Sequence, residues 1–564
     1  MQKAEDGSSM CVCLVALQIE PNRTYDPCPW RGSMHHKYPP TNSICSRTEN
    51  THLLRSVIDP HSSLLTPRSS GRRPAMTTPP PPAATPKQQQ HGLAAVAAEV
   101  RAQRGIALPL VGMNLTWFAK QAVTTAFLGR LGDLQLAAGT LGYSFANVTG
   151  FAVLSGLCGA MEPICGQAHG AGNVALLRGT LLRGTLMLLA ASVPIALLWT
   201  RVDAVLLRFG QQPDIADTAR TYVLCLLPDL AVTSVLNPLK AYLSAQEVTL
   251  PTLFAAALAL ALHIPLTVSL SARMGVRGVA AAVWLSDLAL ALMLAAYVLA
   301  HELRRPTKPQ QTKPATAGDW LLLLRLAVPC CLNTCLEWWS YEILVLLTGL
   351  LPDARRMVGV VAVTLNFDYL LFAAMLSLSV SASVRISNEL GAGDAALARR
   401  AARVSIAGGL AAGVAGGLLM LAARRPWARI YTRSPEVRDG VGRAMKVMAL
   451  LEVVNFPLNV CGGIVRGTAR PLLGMYAVVG GFYVVALPVG VALGFKARLG
   501  LEGLLAGFLV GAAVSLAVLV TVIVCMDWAA EADKAQTRAG AAGAGNTARV
   551  EPPPNKAPAE SEAC

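Results

Sequence analysis

Charged residues are scarce in this sequence. Asp, Glu, Lys and Arg make up 14% of its 564 residues, whereas 54% are hydrophobic. Soluble domains contain about 25% charged residues, so the composition argues against a chain that folds in water. Five long stretches contain no charged residue at all, at 184–200, 253–270, 404–423, 472–495 and 504–525. Each can cross a membrane as a helix, because about 20 apolar residues span the hydrocarbon core.

The patterns of metal, nucleic-acid and enzymatic sites are also missing. The 13 cysteines form no paired Cys-x-x-Cys motif and no Cys/His ligand set, so neither a metal nor a cofactor is expected. The net charge of +15 is spread over tails and loops, with no basic stripe among aromatics. Nucleic acid is therefore not an expected partner. No acyltransferase, zinc-protease, Walker A or serine-hydrolase motif occurs in a suitable context, so we do not expect an enzyme.

What the sequence does contain is more apolar segments and an internal repeat. Seven less uniform segments bring the candidate membrane helices to twelve, near 105–127, 135–165, 219–243, 276–300, 320–350, 357–384 and 441–463. MEPICGQAHGAGN at 161–173 recurs in register as ASVRISNELGAGD at 382–394. Two like-ordered bundles in one chain are typical of transporters whose lobes face each other across a central cavity. We predict an all-α integral membrane protein with twelve transmembrane helices in two pseudo-symmetric six-helix lobes.

Composition shifts set the expected boundaries. We predict a disordered segment at 1–95, an N-lobe with helices 1–6 at 96–300, a cytosolic linker at 301–319, a C-lobe with helices 7–12 at 320–528 and a disordered tail at 529–564. Met76 opens an ordinary cytosolic lead-in, so we expect translation to begin there and residues 1–75 to be an extension of the gene model. N-terminal peptide mapping that recovers residues 1–75 would refute this.

The charges around the first helix indicate its orientation. Arg101 and Arg104 precede it and only Arg130 follows it, which places both termini in the cytosol by the positive-inside rule. The loop near 424–446 carries seven Lys and Arg on what would then be the outer side. We give the first helix more weight than that loop.

Glu337 is the strongest functional candidate. An ionisable group in the hydrocarbon region is costly unless it faces a wet cavity or a partner, and Glu337 falls near the middle of the seventh segment, with Asn333 and Tyr341 on the same helix face. Its counterpart in the first repeat is Trp117, so the scaffold does not require an acid there. Burial favours the neutral form of a carboxyl. We hypothesise that Glu337 couples transport, holding a cationic or polar substrate when charged and releasing it when protonated; the alternative is a structural acid paired with Arg325 or a helix dipole.

Other polar residues in the membrane segments have two interpretations. Asn366 and Asp368 in the eighth segment, and Glu452 and Asn455 in the tenth, either share the cavity with Glu337 or form hydrogen bonds between helices. Those of the first lobe are scattered: Asn114, Lys120, Gln121, Asp229, Asn237, Lys240, His263 and Asp287. We interpret the two lysines as neutralising nearby acids and His263 as a packing residue. Glycines at 409, 413 and 417 predict close contact of the ninth helix with a neighbour.

Four motifs resemble those of the multidrug and toxic compound extrusion (MATE) family, in particular its plant DETOXIFICATION branch. They are AMEPICGQAHGA at 160–171, CLEWWSYE at 335–342, RISNELGAG at 385–393 and RGTARP at 466–471. The resemblance covers about residues 100–528 in order. It implies twelve helices in two lobes, antiport of organic solutes out of the cytosol, and coupling to H⁺ or Na⁺.

The resemblance also implies site residues. The family's seventh-helix acid matches Glu337, and its lobe motifs place Glu162, Gln167, Arg385 and Asn388 among the motif positions.

Two positions depart from the family pattern. Many plant relatives have an Asp in the tenth helix where this chain has Asn455, so either Glu452, one turn earlier, replaces that acid or Glu337 acts alone. The first-helix Asp of bacterial and archaeal members has no counterpart, because no acid lies between Arg104 and Arg130. Cation coupling in the first lobe is therefore not expected.

Two other classes of membrane protein are less consistent with the sequence. A major facilitator antiporter also has twelve helices in two lobes, but its basic loop after the second helix is absent, and AHGAGNVALLRGT at 168–180 stands there instead. A membrane-embedded enzyme is disfavoured by the missing motifs. We expect a monomeric multi-pass protein of the plasma membrane or an endomembrane (vacuole, late endosome or Golgi), whose partners are small organic solutes and the lipid bilayer. The sequence specifies neither the solute nor the coupling ion.

Overall fold

Twelve long helices run through the computed structural model, which describes residues 86–304 and 317–540. The first six are α1 (Pro86–Leu131), α2 (Asp133–Gly170), α3 (Val174–Trp199), α4 (Pro213–Ala245), α5 (Leu250–Met274) and α6 (Val276–Arg304). The second six are α7 (Ala317–Thr348), α8 (Ala354–Gly391), α9 (Ala395–Tyr431), α10 (Pro435–Gly467), α11 (Pro471–Lys496) and α12 (Gly500–Val524). A short helix, Val202–Arg208, precedes α4, and α13 (Trp528–Arg538) follows α12.

Length and composition qualify eleven of the described helices, α2 to α12, to cross a membrane. The remaining long helix, α1, has 46 residues but is more polar, since Asn114, Lys120 and Gln121 lie within it. These three side chains contact other helices or the cavity described below, so α1 has protein around its polar groups as a spanning helix requires. The bundle agrees with the predicted all-α membrane architecture.

Each half of the chain has its own hydrophobic core. One is built mainly from α2 to α6 and the other mainly from α8 to α12. The first helices of the two halves depart from this division in the same way. Ile106 and Leu110 of α1 pack against Val384 of α8, and Leu323 and Leu326 of α7 belong to the N-lobe core. Part of the first helix of each lobe thus packs against the other lobe.

The repeated Gly-Ala-Gly motif closes the second helix of each lobe. Gly172 and Gly393 have φ angles of 71° and 83°, a region that favours glycine. The next residue then caps the following helix: Asn173 accepts a hydrogen bond from the Leu176 amide, and Asp394 accepts one from the Leu397 amide. The repeat detected in the sequence is therefore a repeated helix-turn-helix connection.

The glycines of α9 pack directly on α10, as their spacing predicted. A Cβ on Gly413 would lie 2.8 Å from the Glu452 carbonyl oxygen, and one on Gly417 would lie 2.5 Å from that of Ala449. The α10 backbone leaves no room for a side chain at either position, so α9 and α10 are in backbone contact there.

Both predicted disordered ends need correction. Residues 86–95 belong to α1, because KQQQHGLAAVAAE at 87–99 consists mostly of good helix formers without a proline. Residues 529–538 belong to α13, which Asp527 caps by accepting from two backbone amides. The predicted linker, 301–319, extends too far at both ends, because α6 continues to Arg304 and α7 begins at Ala317. Residues 1–85, 305–316 and 541–564 lie outside the described part, so the predictions made for them are not tested.

Candidate functional site

A cavity of about 330 Å³ lies between the two lobes. Four helices of each half line it: α1, α2, α4 and α6 on one side, and α7, α8, α10 and α11 on the other. Aromatic side chains supply much of its apolar wall: Trp117, Phe118, Tyr143, Phe151, Trp338 and Phe372. Its size is within the range of small-molecule sites, roughly 300–1,000 Å³.

Glu337 lies in the C-lobe wall of this cavity, with Asn333 one turn away on the same helix. Its side chain is only half-buried, because it faces the cavity. Two residues of α10 are its polar neighbours, the amide of Asn459 and the cation Arg466. The alternative partner considered from the sequence, Arg325, does not line the cavity. The carboxyl is thus reachable from the cavity and has a positive charge beside it.

Arg466 connects the two lobes at the cavity wall. Its Nε donates to Glu162 Oε2 of α2 at 2.7 Å, and an Nη atom donates to Ser379 Oγ at 3.3 Å. Glu337 and Glu162 therefore act on one guanidinium, from opposite lobes.

The N-lobe wall gathers the polar residues that looked scattered in the sequence. Lys120 Nζ forms an ion pair of 2.6 Å with Asp287, and Asp229, Asn237 and Lys240 line the same surface. The interpretation that Lys120 neutralises an acid is confirmed. The spacing of Asp229, Asn237 and Lys240 along α4 could have revealed this wall, since all three lie on one helical face.

Five residues predicted for the cavity or its surroundings do not line it: Tyr341, Asn366, Asp368, Glu452 and Asn455. This corrects the cavity prediction for these five. Asn366 donates to the Ala362 carbonyl of its own helix, at 3.1 Å. The other four meet inside the C-lobe, where Asn455 donates to the Tyr341 hydroxyl at 3.2 Å and the side chains of Asp368 and Glu452 contact each other. Helical spacing places Tyr341 on the same face of α7 as Glu337, but the Tyr341 side chain extends toward α10, where its hydroxyl contacts Asn455.

All four motif residues inferred from the resemblance lie at contacts between the lobes. Besides Glu162, Gln167 of α2 donates to the Gly467 carbonyl at 3.3 Å. Arg385 of α8 forms ion pairs with Glu99 at 3.0 Å and Glu247 at 3.1 Å. Asn388 donates to Glu247 at 3.3 Å.

These contacts lie at the end of the bundle where α6 ends and α7 begins, which we call the linker end. There Gly170 abuts the Asn388 carbonyl and Gly391 abuts the Gln167 backbone, without room for a side chain on either glycine. In this structure the lobes are in contact at the linker end.

Helix α13 adds to the contact at the linker end. Its Trp528, Ala532 and Ala535 belong to the C-lobe core, while Arg538 donates to Gln167 Oε1 of α2 at 2.7 Å. Asn173, at the α2–α3 turn, donates to the Ala539 carbonyl at 2.8 Å. Burial lowers the pKa of Arg538, which nearby Glu531 counteracts. Sequence reasoning missed α13 because its composition resembles the polar tail that follows it.

His263 is fully buried behind the N-lobe wall. One ring nitrogen lies 3.2 Å from the Ala282 carbonyl and the other 3.1 Å from Thr124 Oγ1. With both nitrogens partnered, the expectation of a packing residue is confirmed.

Arg466 and Asn459 are the main residues that sequence reasoning did not select. Asn459 lies one turn after Asn455 on α10, and that spacing was the available signal. Arg466 lies inside a motif quoted for the resemblance, but its position near Glu337 depends on how α7 and α10 pack. A cavity between two membrane-spanning lobes, with charged side chains on both walls, defines a membrane transporter.

Comparisons with known proteins identify the family. The MatE family profile matches residues 109–269 and 329–492. Protein DETOXIFICATION 56 of Arabidopsis thaliana is 51% identical over 79% of this chain and 91% of its own length. Protein DETOXIFICATION 51 of the same plant is 38% identical over 79% of this chain and 84% of its own length. The crystal structure of the eukaryotic MATE transporter AtDTX14 has a TM-score of 0.72 at 28% identity, and covers 79% of this chain and 100% of that chain.

The chain belongs to the MATE family of membrane efflux transporters. The predicted family, the fold of twelve helices in two lobes and the multi-pass membrane location are thereby confirmed. Members of this family are transporters and not enzymes, they need no cofactor, and they act on small organic substrates.

Proposed function

We propose that this protein exports organic solutes in exchange for protons, by alternating access of its two lobes, with Glu337 as the coupling carboxyl. The observation that carries the proposal is the position of Glu337. It faces the cavity between the lobes, and the cation beside it, Arg466, also forms an ion pair with Glu162 of the other lobe.

The aromatic wall and Glu337 together suit a cationic or polar aromatic solute. Trp338, next to Glu337, lies in an aromatic cluster with Phe372 and Tyr369, at ring distances of 5.5 and 6.3 Å. Such rings attract cations and flat ligands. The ionised carboxyl binds the solute, and protonation removes that attraction. Solute and proton thus compete for one group, as an antiporter requires.

Arg466 links the protonation state of Glu337 to the contact between the lobes. With Glu337 ionised, the guanidinium interacts with two carboxylates, one in each lobe. With Glu337 protonated, Glu162 is the remaining charged partner, so the strength of one interlobe ion pair depends on the proton. This ion pair lies in the cavity wall, and the lobes must separate there for the cavity to open at the linker end.

The test uses the full chain in proteoliposomes with an acidic lumen and ethidium as a fluorescent organic cation, with citrate and a flavonoid as further solutes. We expect accumulation that a protonophore abolishes. Glu337→Gln, which mimics the protonated acid, is expected to reduce gradient-driven uptake to the level of protein-free vesicles. Glu342→Gln is the matched control, because Glu342 lies on the same helix but does not line the cavity.

Two results would contradict the proposal. Wild-type rate and pH dependence in Glu337→Gln would remove the assignment of that residue. Uptake that follows a Na⁺ gradient at constant pH, and ignores a pH gradient, would replace protons with sodium as the coupling ion.

A further inference from the structure

Two carboxyl groups meet in the C-lobe interior, away from the cavity. Asp368 of α8 is 2% exposed and Glu452 of α10 is 0% exposed, and their side chains lie within hydrogen-bonding distance of each other. Neither lines the cavity between the lobes. The pair is therefore distinct from Glu337, which the proposed function uses.

No cation compensates this pair among the residues that the structure describes. Neither acid forms an ion pair with a lysine or arginine in residues 93–304, 318–354 or 356–540. From α9, Gly413 packs against the Glu452 backbone. From α12, Phe508 packs against the Tyr341 ring, with centroids 5.9 Å apart. Within the described chain, Tyr341 of α7 is a titratable side chain near both acids, and Glu337 lies one turn before it on the same helix.

The oxygen atoms of the pair need a proton. Both Glu452 oxygens and Asp368 Oδ1 are buried without a hydrogen-bond donor in the described structure. Two ionised carboxylates in contact repel each other, and in an apolar interior that repulsion is large. If one carboxyl is protonated, its O–H donates to the other, which gives one buried oxygen of each group a partner and removes one charge.

Tyr341 connects α7 with α10, the helix that carries Glu452. Its hydroxyl accepts a hydrogen bond from Asn455 at 3.2 Å, and Asn455 lies one turn after Glu452 on α10. Tyr341 also lies one helical turn after Glu337 on α7. A phenol that can donate and accept is suited to pass a proton between the buried pair and the cavity acid.

We propose that Asp368 and Glu452 share a proton and form a second proton site of the C-lobe, which exchanges its proton with Glu337 through Tyr341. Loss of the shared proton leaves two adjacent carboxylates, and its return restores one O–H donor and one acceptor. The sharing itself does not depend on the proposed function, whereas the exchange during transport rests on it.

Infrared difference spectroscopy of the purified full chain tests the sharing without any solute. The stretching band of protonated carboxyls is recorded during a pH titration in the wild type and in Glu452→Gln and Asp368→Asn. Each amide variant can donate to the remaining carboxylate, so each is expected to lose the same protonated-carboxyl component. Thr364→Val is the matched control, because Thr364 is buried on α8 one turn before Asp368 and carries no acid; its band is expected to match the wild type.

The exchange is tested on the same variants in the ethidium assay, together with Tyr341→Phe. We expect a shifted pH profile of uptake in the two amide variants, and slower uptake with an unchanged profile in Tyr341→Phe.

Two infrared results would overturn the proposal. One is an unchanged carboxyl band in both amide variants. The other is a band that responds to added NaCl but not to pH, which would identify a sodium site. A lost band with an unshifted pH profile would overturn the exchange. Absence of ethidium uptake by the wild type would instead count against the proposed function, while the infrared result would stand.

Discussion

At the scale of single residues, access to water separates acids that look alike in the sequence. Glu337 and Glu452 are both glutamates near the middle of apolar helices. Glu337 is half-buried at a cavity beside Arg466, whereas Glu452 is 0% exposed against Asp368. The sequence predicted Glu337 as a candidate because helix position alone places it at mid-membrane. It could not assign Glu452, because its partner comes from another helix.

His263 provides a residue-scale prediction. Replacing it with leucine removes the contacts to Ala282 and Thr124 from a fully buried site, and buried hydrogen-bond partners left without a donor cost about 1–3 kcal/mol. We expect His263→Leu to melt at a lower temperature than the wild type in detergent, measured by the thermal unfolding of purified protein. The pH profile of ethidium uptake should remain that of the wild type. A shifted profile would mean that His263 takes part in proton movement.

At the scale of helices, backbone contacts decide which positions accept a side chain. The spacing of the α9 glycines was sufficient to predict a close helix contact, since residues four apart share a face. It did not reveal the partner, α10, or that the backbone of Glu452 itself lies in that contact.

Gly417 and Gly408 form a matched pair on α9 for a second prediction. A Cβ at Gly417 would lie 2.5 Å from the Ala449 carbonyl oxygen, whereas nothing lies within 4 Å of one at Gly408. Overpacking typically costs about 1–3 kcal/mol, so Gly417→Ala should lower the melting temperature. Gly408→Ala should leave it unchanged or raise it, because alanine favours helix by about 1 kcal/mol over glycine. Equal effects of the two substitutions would contradict this packing.

The ends of helices were predicted less well than their middles. Uncharged runs marked the spanning parts, because lipid excludes charge. Helix α13 lies beyond that rule: its charged residues are accommodated by ion pairs, as in Glu531 with Arg470 at 2.6 Å. Such pairs join residues that are far apart in the chain, so no local sequence pattern predicts them.

At the scale of the whole molecule, the contacts at the linker end hold the lobes together. The internal repeat was sufficient to predict two lobes and a cavity between them. Which end of the bundle is closed could not be predicted, because the ion pairs of Arg385 connect α8 to α1 and to the α4–α5 turn.

Arg385 is expected to hold the lobes together at the linker end. Removing one partner of a buried ion pair costs about 3–5 kcal/mol, and Glu99 would remain 5% exposed without its cation. We expect Arg385→Ala to lengthen the distance between spin labels at Leu303 and Ala396, which lie in different lobes at the linker end, as measured by pulsed electron paramagnetic resonance. Arg443→Ala, which removes an exposed pair within the C-lobe, is the control. A single unchanged distance in Arg385→Ala would show that its ion pairs do not hold this end closed.

Helix α13 has a consequence for biosynthesis. It follows all twelve long helices in the chain, yet it contacts the second helix through Arg538 and Gln167. The contact that α13 makes between the lobes can therefore form only after every membrane segment has been synthesised. A polypeptide truncated before Asp527 would still contain its full set of membrane segments, but it would lack the contact between α13 and α2.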